Sequence, residues 1–309
     1  MWWMLLVLFY GVLKGFREVV KKMALKKNGV IEVLFFYTFL AFLFVLPQAK
    51  DAGGLYGTDY LWIAMKSFFV FLAWIFSFKA IKKMPISLYG VLDLSRVLFS
   101  TLLGVVVLEE TLGFMKTMGL IFVSSGLLLL KYRPPFLKAK EEKGCGSIDS
   151  HFSGAKKTTE VTTVNKSEES IKTIYVVFAF LSCILNALSG LMDKILMQDM
   201  NSSQLQFWYM LFLVIYYGIY MIATKTKLSK DIWKNGWIWL LSILFVMADK
   251  ALFIANGMAE SQVTMMTLLK QSGCVVTILA GKFIFKEKKA GYKLFCAAII
   301  VIGIVIGVM

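Results

Sequence analysis

The stretch LYGVLDLSRVLFSTLLG, residues 88–104, is long and apolar enough to lie in a membrane, yet it carries Asp93 and Arg96 near its middle. A helix needs about 20 mostly apolar residues to cross about 30 Å of hydrocarbon. A charge near the bilayer centre costs about 3 kcal/mol on insertion scales, so charged residues in membrane helices normally face the bundle interior or a wet cavity. This stretch therefore predicts a membrane helix with a functional polar face.

The whole chain has the composition of a multi-pass membrane protein. Of its 309 residues 59% are hydrophobic and 17% are charged, and the mean hydropathy is +0.73, whereas soluble domains are nearer half apolar. Only helices and closed barrels satisfy the backbone in lipid, and apolar runs of about 20 residues indicate helices. We predict an all-α integral membrane fold with ten transmembrane helices, over residues 2–23, 31–49, 59–80, 86–108, 113–132, 173–197, 204–224, 236–257, 262–285 and 290–308.

A polar segment, residues 133–172, separates these spans into two sets of five. It begins RPP and is then rich in Ser, Thr, Lys, Glu and Gly, which is typical of a disordered linker. We therefore expect a first five-helix repeat over residues 1–132, the linker, and a second five-helix repeat over residues 173–309.

The two sets match at a constant spacing. Ser100 falls on Thr277 and Gly104 on Gly281, each at an offset of 177 residues, and the same offset holds across three spans. Because five is an odd number, the second copy must enter the membrane from the other side. The spacing therefore predicts an inverted repeat, an architecture common among secondary transporters.

The motifs of the two sets resemble a known family. The first span ends in KKMAL at 21–25 and its counterpart in DKILM at 193–197; AIKKMPIS at 80–87 leads into the fourth span, and GKFIFKE at 281–287 closes the ninth. With LEE at 108–110, Gly119 and Gly126, this order is similar to that of the drug/metabolite transporter superfamily, of the EamA-like type. The resemblance implies ten helices in two inverted five-helix bundles around a central cavity. Where many relatives carry a proline in the fourth and ninth spans, this chain has Val97 and Cys274.

The distribution of basic residues predicts the orientation of the chain. Loops after even-numbered spans carry only Lys50 and Lys116, whereas the linker and the loops after odd-numbered spans are rich in lysine. The positive-inside rule then places the linker in the cytoplasm and both termini outside. The family resemblance implies the opposite, with both termini inside.

Polar residues in the fourth and ninth spans recur at spacings of three and four, which places them on one face of each helix. The offset of 177 residues puts Asp93 on Lys270, so the two faces carry opposite charges at equivalent positions. In an inverted repeat such faces are expected to meet near the membrane midplane. The predicted substrate-binding residues are Asp93, Arg96, Ser100, Lys270, Thr277, Lys66, Asp249, Lys250, Asn256 and Asn186.

Two interpretations of these charges stay open. An ion pair that only holds two helices together would explain a single pair. The deep set is unbalanced, however, because four bases (Lys66, Arg96, Lys250 and Lys270) stand against two acids (Asp93 and Asp249). Unpaired cations in a dry site would be very costly, so water or an anionic group must compensate them. In addition, Lys14 and Glu18 are expected to pair locally, and Glu110 and Glu287 to cap or pair at the span ends rather than to form gates.

Enzyme and metal chemistry are not indicated. The only histidine, His151, lies in the linker, and none of the four cysteines belongs to a CxxC pair, so we predict no catalytic residues, metal site or cofactor. A GxxxxGK[ST] motif for ATP binding is also absent from the sequence. Lysines that flank membrane spans explain the net charge of +15 without a nucleic-acid partner.

The sequence thus predicts a secondary transporter of the cell membrane that works by alternating access on a small organic anion or a zwitterion such as an amino acid. Arg96 and Lys270 would hold an anionic group, and Asp93 would act as a counter-ion or take an amino group or proton. Open alternatives are a sensor or scaffold that acts through the linker, and a membrane-embedded enzyme. A coupling proton or sodium ion, membrane lipid and a homodimer are the further partners considered.

Overall fold

The computed structural model describes residues 2–93, 95–111, 113–131, 173–226, 228–285 and 290–308, and the predicted linker over 133–172 lies outside them. The described residues form α-helices joined by turns and two short 3-10 helices, Leu46–Asp51 and Lys230–Lys234, and contain no strand. The helices are α1 Trp2–Ala24, α2 Val30–Val45, α3 Gly57–Lys83, α4 Ile86–Asp93, α5 Ser95–Leu108, α6 Phe114–Lys131, α7 Thr173–Asp199, α8 Ser202–Ala223, α9 Gly236–Asn256, α10 Val263–Leu269, α11 Ser272–Phe283 and α12 Ala290–Val308.

Seven helical segments in the described part of the chain are long and apolar enough to cross a membrane. This confirms the prediction of an all-helical membrane protein, while the count of ten crossings stays a prediction. Helix α1 is long enough but is not among the seven because of its charges: Lys14, Arg17, Glu18, Lys21 and Lys22. The seven segments are Val30–Asp51, Gly57–Lys83, Leu88–Leu108, Thr173–Asp199, Ser202–Ala223, Gly236–Asn256 and Val263–Phe283.

Local sequence explains where several helices begin and end. The Asn201 side chain accepts hydrogen bonds from the backbone of Ser203 and Gln204, while the Gln204 side-chain oxygen accepts one from the Asn201 backbone N–H, which is a capping box at the start of α8. Asn235 caps α9 in the same way through the backbone N–H of Trp237. Helix α3 ends in two lysines that complement its dipole.

Helices from the two halves interleave rather than forming separate bodies. Helix α1 packs along α9, and α3 packs along α7; α2 packs on α8, and α6 on α12. In the fourth and ninth spans, α4 contacts α11 while α5 contacts α10. One large core lies between the halves and contains the aromatic cluster Tyr37, Trp74, Phe78 and Phe245.

Small residues let two of these helices touch through their backbones. A Cβ atom built on Gly119 of α6 would lie 2.5 Å from the Cα of Gly307 and 2.6 Å from the carbonyl oxygen of Gly303, both in α12. Glycines four residues apart are a common means of close approach in membrane helices, where packing rather than water drives association. The α6–α12 contact therefore depends on the absence of a side chain at Gly119.

We expect Gly119→Ala to lower the stability of the protein by about 1–3 kcal/mol, because both opposing atoms are backbone and cannot move aside. Thermal unfolding in detergent micelles measures the effect. Gly218→Ala in α8 is the matched control, since its Cβ would meet only the Phe35 ring at an ordinary 3.6 Å. Equal unfolding temperatures for Gly119→Ala and the unsubstituted protein would contradict the backbone contact.

Candidate functional site

A polar cavity lies between the two halves. About 80 Å³ of it is open to water-sized molecules, and one buried water needs on the order of 10–15 Å³, so it has room for several waters or a small polar molecule. Its walls come from α1, α3, α5, α7, α9 and α10, with single aromatic residues from α2, α4 and α8. The cavity is therefore built jointly by both halves.

Helix α1 supplies four charged residues to the cavity: Lys14, Arg17, Glu18 and Lys21. Their spacing of i, i+3, i+4 and i+7 places them on one helical face. Lys21 bonds Glu18 at 2.7 Å, Arg17 reaches Asp249 of α9 at 3.2 Å, and Lys14 reaches Asp93 of α4. The expected local pair between Lys14 and Glu18 is therefore wrong, because each residue pairs with a different partner.

Asp93 is held by two bases. Besides Lys14, its carboxylate accepts a hydrogen bond from Arg96 at 3.1 Å, one helical turn away. Arg96 and Ser100 line the cavity, whereas Asp93 borders a smaller adjoining pocket that Thr277 and Gly90 also line. The face expected from the fourth span is thus present, but it spans two neighbouring hollows.

Lys66 of α3 is the most deeply buried charge in the cavity, with 1% of its surface exposed. Its ammonium lies 2.8 Å from Asp193 of α7, and above the rings of Tyr209 and Phe253 at 3.5 and 4.7 Å from their centroids. An ion pair combined with contacts to aromatic faces is the kind of environment that makes a buried lysine tolerable.

Lys270 lies at a break in the ninth span. Helix α10 ends at Leu269 and α11 begins at Ser272; between them the Gln271 and Gly273 amides bond carbonyls three residues back. Gly273 meets α1 so closely that its Cβ would lie 2.5 Å from the carbonyl oxygen of Gly11. The break occurs without a proline, and close approach of two backbones accompanies it.

The Lys270 ammonium has no acidic partner among the described residues. Its contact there is with the ring of Tyr10, 5.7 Å from the centroid. The opposite charges of Asp93 and Lys270 are therefore not joined in an ion pair, because Lys14 and Arg96 occupy Asp93.

The structure brings most of the predicted site residues together. Lys66, Arg96, Ser100, Asn186, Asp249, Asn256 and Lys270 line the cavity, and Asp93 and Thr277 line the adjoining pocket. Lys250 lines neither; it is only partly buried and donates to Gln48 and Ser203. Whether these residues bind a substrate stays a prediction.

The predicted substrate-binding set left out five charged residues of this cluster: Lys14, Arg17, Glu18, Lys21 and Asp193. The stripe on α1 carried a usable signal, namely helical spacing inside an apolar segment. With these residues included, the cavity and its adjoining pocket hold six bases and four acids (Lys14, Arg17, Lys21, Lys66, Arg96 and Lys270 against Glu18, Asp93, Asp193 and Asp249). The described residues include no group of three or more His, Cys, Asp or Glu placed to hold a metal ion.

A group of polar contacts lies beside Asn256 and Val263, which line the cavity. Glu110, after α5, accepts bonds from the Val263 and Thr264 amides at 2.5 and 3.0 Å and from the Thr264 hydroxyl at 2.6 Å. It thereby caps the start of α10, which confirms the capping role expected for it; Glu287 lies outside the described residues. Nearby, Lys194 donates to the Asn256 and Met258 carbonyls and to Ser261.

Comparison with known proteins places these features in context. The model of the EamA-like transporter family matches residues 1–132 and 173–309. One crystal structure of another protein superimposes on this chain with a TM-score of 0.65. The superposition covers 97% of this chain and 94% of that chain. At 12% identity this likeness is one of fold alone. The curated proteins include no sequence match.

Removing one partner of the Lys66–Asp193 pair should destabilise the protein by about 3–5 kcal/mol, because the remaining charge stays buried without its counter-ion. Replacing both, as Lys66→Met with Asp193→Leu, should recover most of that loss. Unfolding of the two single variants and the double variant in detergent measures the coupling.

The exposed pair Lys234–Asp231, with side chains 82% and 78% exposed, is the control. Asp231→Asn should cost less than about 1 kcal/mol. If the double variant at Lys66 and Asp193 loses as much as the sum of its single variants, the two residues do not compensate each other.

Proposed function

The chain belongs to the EamA-like transporter family, and from this premise we propose that it is a secondary transporter that moves a small polar metabolite across the cell membrane by alternating access. The metabolite class is an organic anion or a zwitterion such as an amino acid. A proton or a sodium ion is the proposed driving ion. Because the family is one of transporters, we propose no enzymatic role and no role as a sensor or scaffold.

The observation that carries this proposal is the charged cavity itself. One ion pair is enough to hold two helices together, whereas charged residues from five helices and from the turn at Lys270 line this cavity. Ionised groups at such depth are costly unless water or a ligand solvates them. In a transporter such a charged cavity is expected, because the substrate must leave water and bind at a site near the membrane midplane.

The helix contacts support the proposal of two inverted five-helix repeats, over residues 1–132 and 173–309. In the two proposed repeats α1 corresponds to α7 and α3 corresponds to α9. The α1–α9 contact is therefore equivalent to the α7–α3 contact, and both are among the most extensive between the described helices. The α2–α8 and α6–α12 contacts map onto themselves. The first part of the fourth span, α4, packs on the last part of the ninth, α11, while α5 packs on α10. The two spans therefore run antiparallel, as an inverted pair would. We accordingly propose that ten spans cross the membrane.

Alternating access would then consist of rocking one repeat against the other about the cavity. Arg96 and Lys270 would hold the anionic group of the substrate, and Asp93 would compensate Lys14 and Arg96 while the site is empty. At Lys270 the ninth span passes through a short turn of i→i+3 hydrogen bonds while continuing as one 21-residue span, and Lys270 lines the cavity there. Lys250 is not part of the proposed site, since it lies outside the cavity lining.

We expect Arg96→Ala or Lys270→Ala to abolish uptake by purified protein in proteoliposomes, because each removes a cation that faces the cavity. Uptake of a panel of amino acids, organic acids and phosphate esters provides the measurement, and expression with a single elution peak shows that folding is intact. Lys282→Gln is the control in the same span: Lys282 is exposed and lies over the Phe283 ring. Unaltered transport in both variants would defeat the assignment, and a panel without any uptake would favour the sensor or scaffold.

We also propose that the 133–172 linker is cytoplasmic and that both termini are outside, following the distribution of lysines. A protease site fused to either terminus should then be cleaved in intact cells by protease added to the medium. Cleavage that requires permeabilised cells would reverse the orientation. A site inserted in the linker should behave oppositely to the terminal sites.

A further inference from the structure

In the described part of the chain, each carboxylate that lines the cavity or its adjoining pocket already has a cationic partner, although Asp193 Oδ1 contacts Lys66 as an ion pair without accepting a hydrogen bond. Asp193 is paired with Lys66, Asp249 with Arg17, and Glu18 with Lys21. Asp93 already serves two bases. An ammonium group that entered the cavity would therefore have to displace a protein cation from its partner.

Two buried hydrogen-bond donors of the cavity lack acceptors. Asn256 is 2% exposed, lines the cavity, and its side-chain Nδ2 has no partner among the described residues. The Nε of Arg96 is likewise buried and without a partner there. Buried donors of this kind are normally satisfied, so each indicates a missing acceptor. Lys270 is partly exposed, and within the described part of the chain its ammonium contacts only the Tyr10 ring.

The charge balance gives the valence of that acceptor. Among the described residues, six bases and four acids line the cavity and its adjoining pocket, an excess of two positive charges. Two uncompensated cations are costly where water is scarce, and a ligand with two negative charges neutralises both. The limited open volume requires a small molecule.

We infer that the substrate is a small divalent oxyanion, either a dicarboxylate or a phosphate monoester, and that Lys270, Arg96 and Asn256 bind its oxygens. This inference rests on the proposed function and narrows it, because it excludes zwitterions such as amino acids. Oxyanions accept several hydrogen bonds and donate none, which fits three donors that line one cavity.

Ligand valence can be varied at nearly constant size. Succinate carries two charges, its monoamide succinamate carries one, and aspartate adds an ammonium group to the succinate skeleton. Glycerol 3-phosphate represents the phosphate source and is divalent at about pH 8, since the second pKa of such esters is near 6. Binding to the purified full-length protein is measured by thermal shift and by equilibrium titration, with chloride as a monovalent inorganic reference.

Succinate or glycerol 3-phosphate should bind at least about tenfold more tightly than succinamate, aspartate and chloride. Succinamate and chloride lack the second negative charge and lose a charge-assisted contact, and aspartate brings an ammonium group that the cationic cavity repels. Which of the two divalent ligands binds better identifies the source. Preference for aspartate or succinamate, or failure of both divalent ligands to bind, would overturn the inference.

Variants test whether the surplus charge sets the preference. Lys270→Gln should weaken the divalent ligand by about tenfold or more while changing succinamate less, so that the ratio of the two affinities narrows. Lys270→Arg should keep the ratio, and Lys282→Gln should leave every affinity unchanged. Asn256→Asp, which is close in shape but replaces a donor by a negative charge, should abolish divalent binding. An equal loss for both ligands in Lys270→Gln would show a merely structural role.

Failure of the inference can be told apart from failure of the proposed function. A protein that binds the divalent ligand but does not carry it into proteoliposomes supports the inference and contradicts transport. A protein that transports aspartate but not succinate supports transport and contradicts the inference.

Discussion

In hydrocarbon an ammonium or guanidinium group needs a carboxylate, an aromatic ring or water within reach, and this requirement determines how the helices of the protein meet. Lys14 and Arg17 of α1 find their acids on α4 and α9, and Lys66 of α3 finds its acid on α7. Each of these bonds crosses between helices that are far apart in sequence. The charges that seem to oppose membrane insertion are therefore the ones that specify which helices lie together around the cavity.

The sequence was sufficient for the helical membrane class and for most residues that line the cavity. Hydrophobic length locates a span, and spacings of three and four locate a polar face, so Arg96, Ser100 and Lys270 could be placed correctly on the inside. Periodicity does not reveal the partner on another helix, which is why Lys14 was assigned to Glu18 rather than to Asp93. Lys250 shows a related limit: a lysine within a span can point away from the cavity, here towards Gln48 of the 3-10 helix Leu46–Asp51 and Ser203 at the start of α8.

The break in the ninth span illustrates a second limit. Proline is the residue from which a helix break can be read, and the ninth span, residues 262–285, contains none. The helix is interrupted instead beside Gly273, where the backbone of α1 comes within contact of the backbone of α11. A glycine that accommodates a neighbouring helix and a glycine that is merely tolerated look the same in a sequence. Only the coordinates of the opposing atoms, Gly11 among them, tell the two apart.

Two contacts of different kinds hold the halves together near the start of α10. Glu110 binds that start through hydrogen bonds, which can exchange for bonds to water without leaving a void. A short distance along the chain, α6 and α12 touch backbone to backbone at Gly119, where sliding would drive atoms into one another, and Gly307 of that contact also meets Leu268 of α10. The hydrogen bonds of Glu110 can therefore be exchanged while the glycine contact keeps α6 and α12 in register.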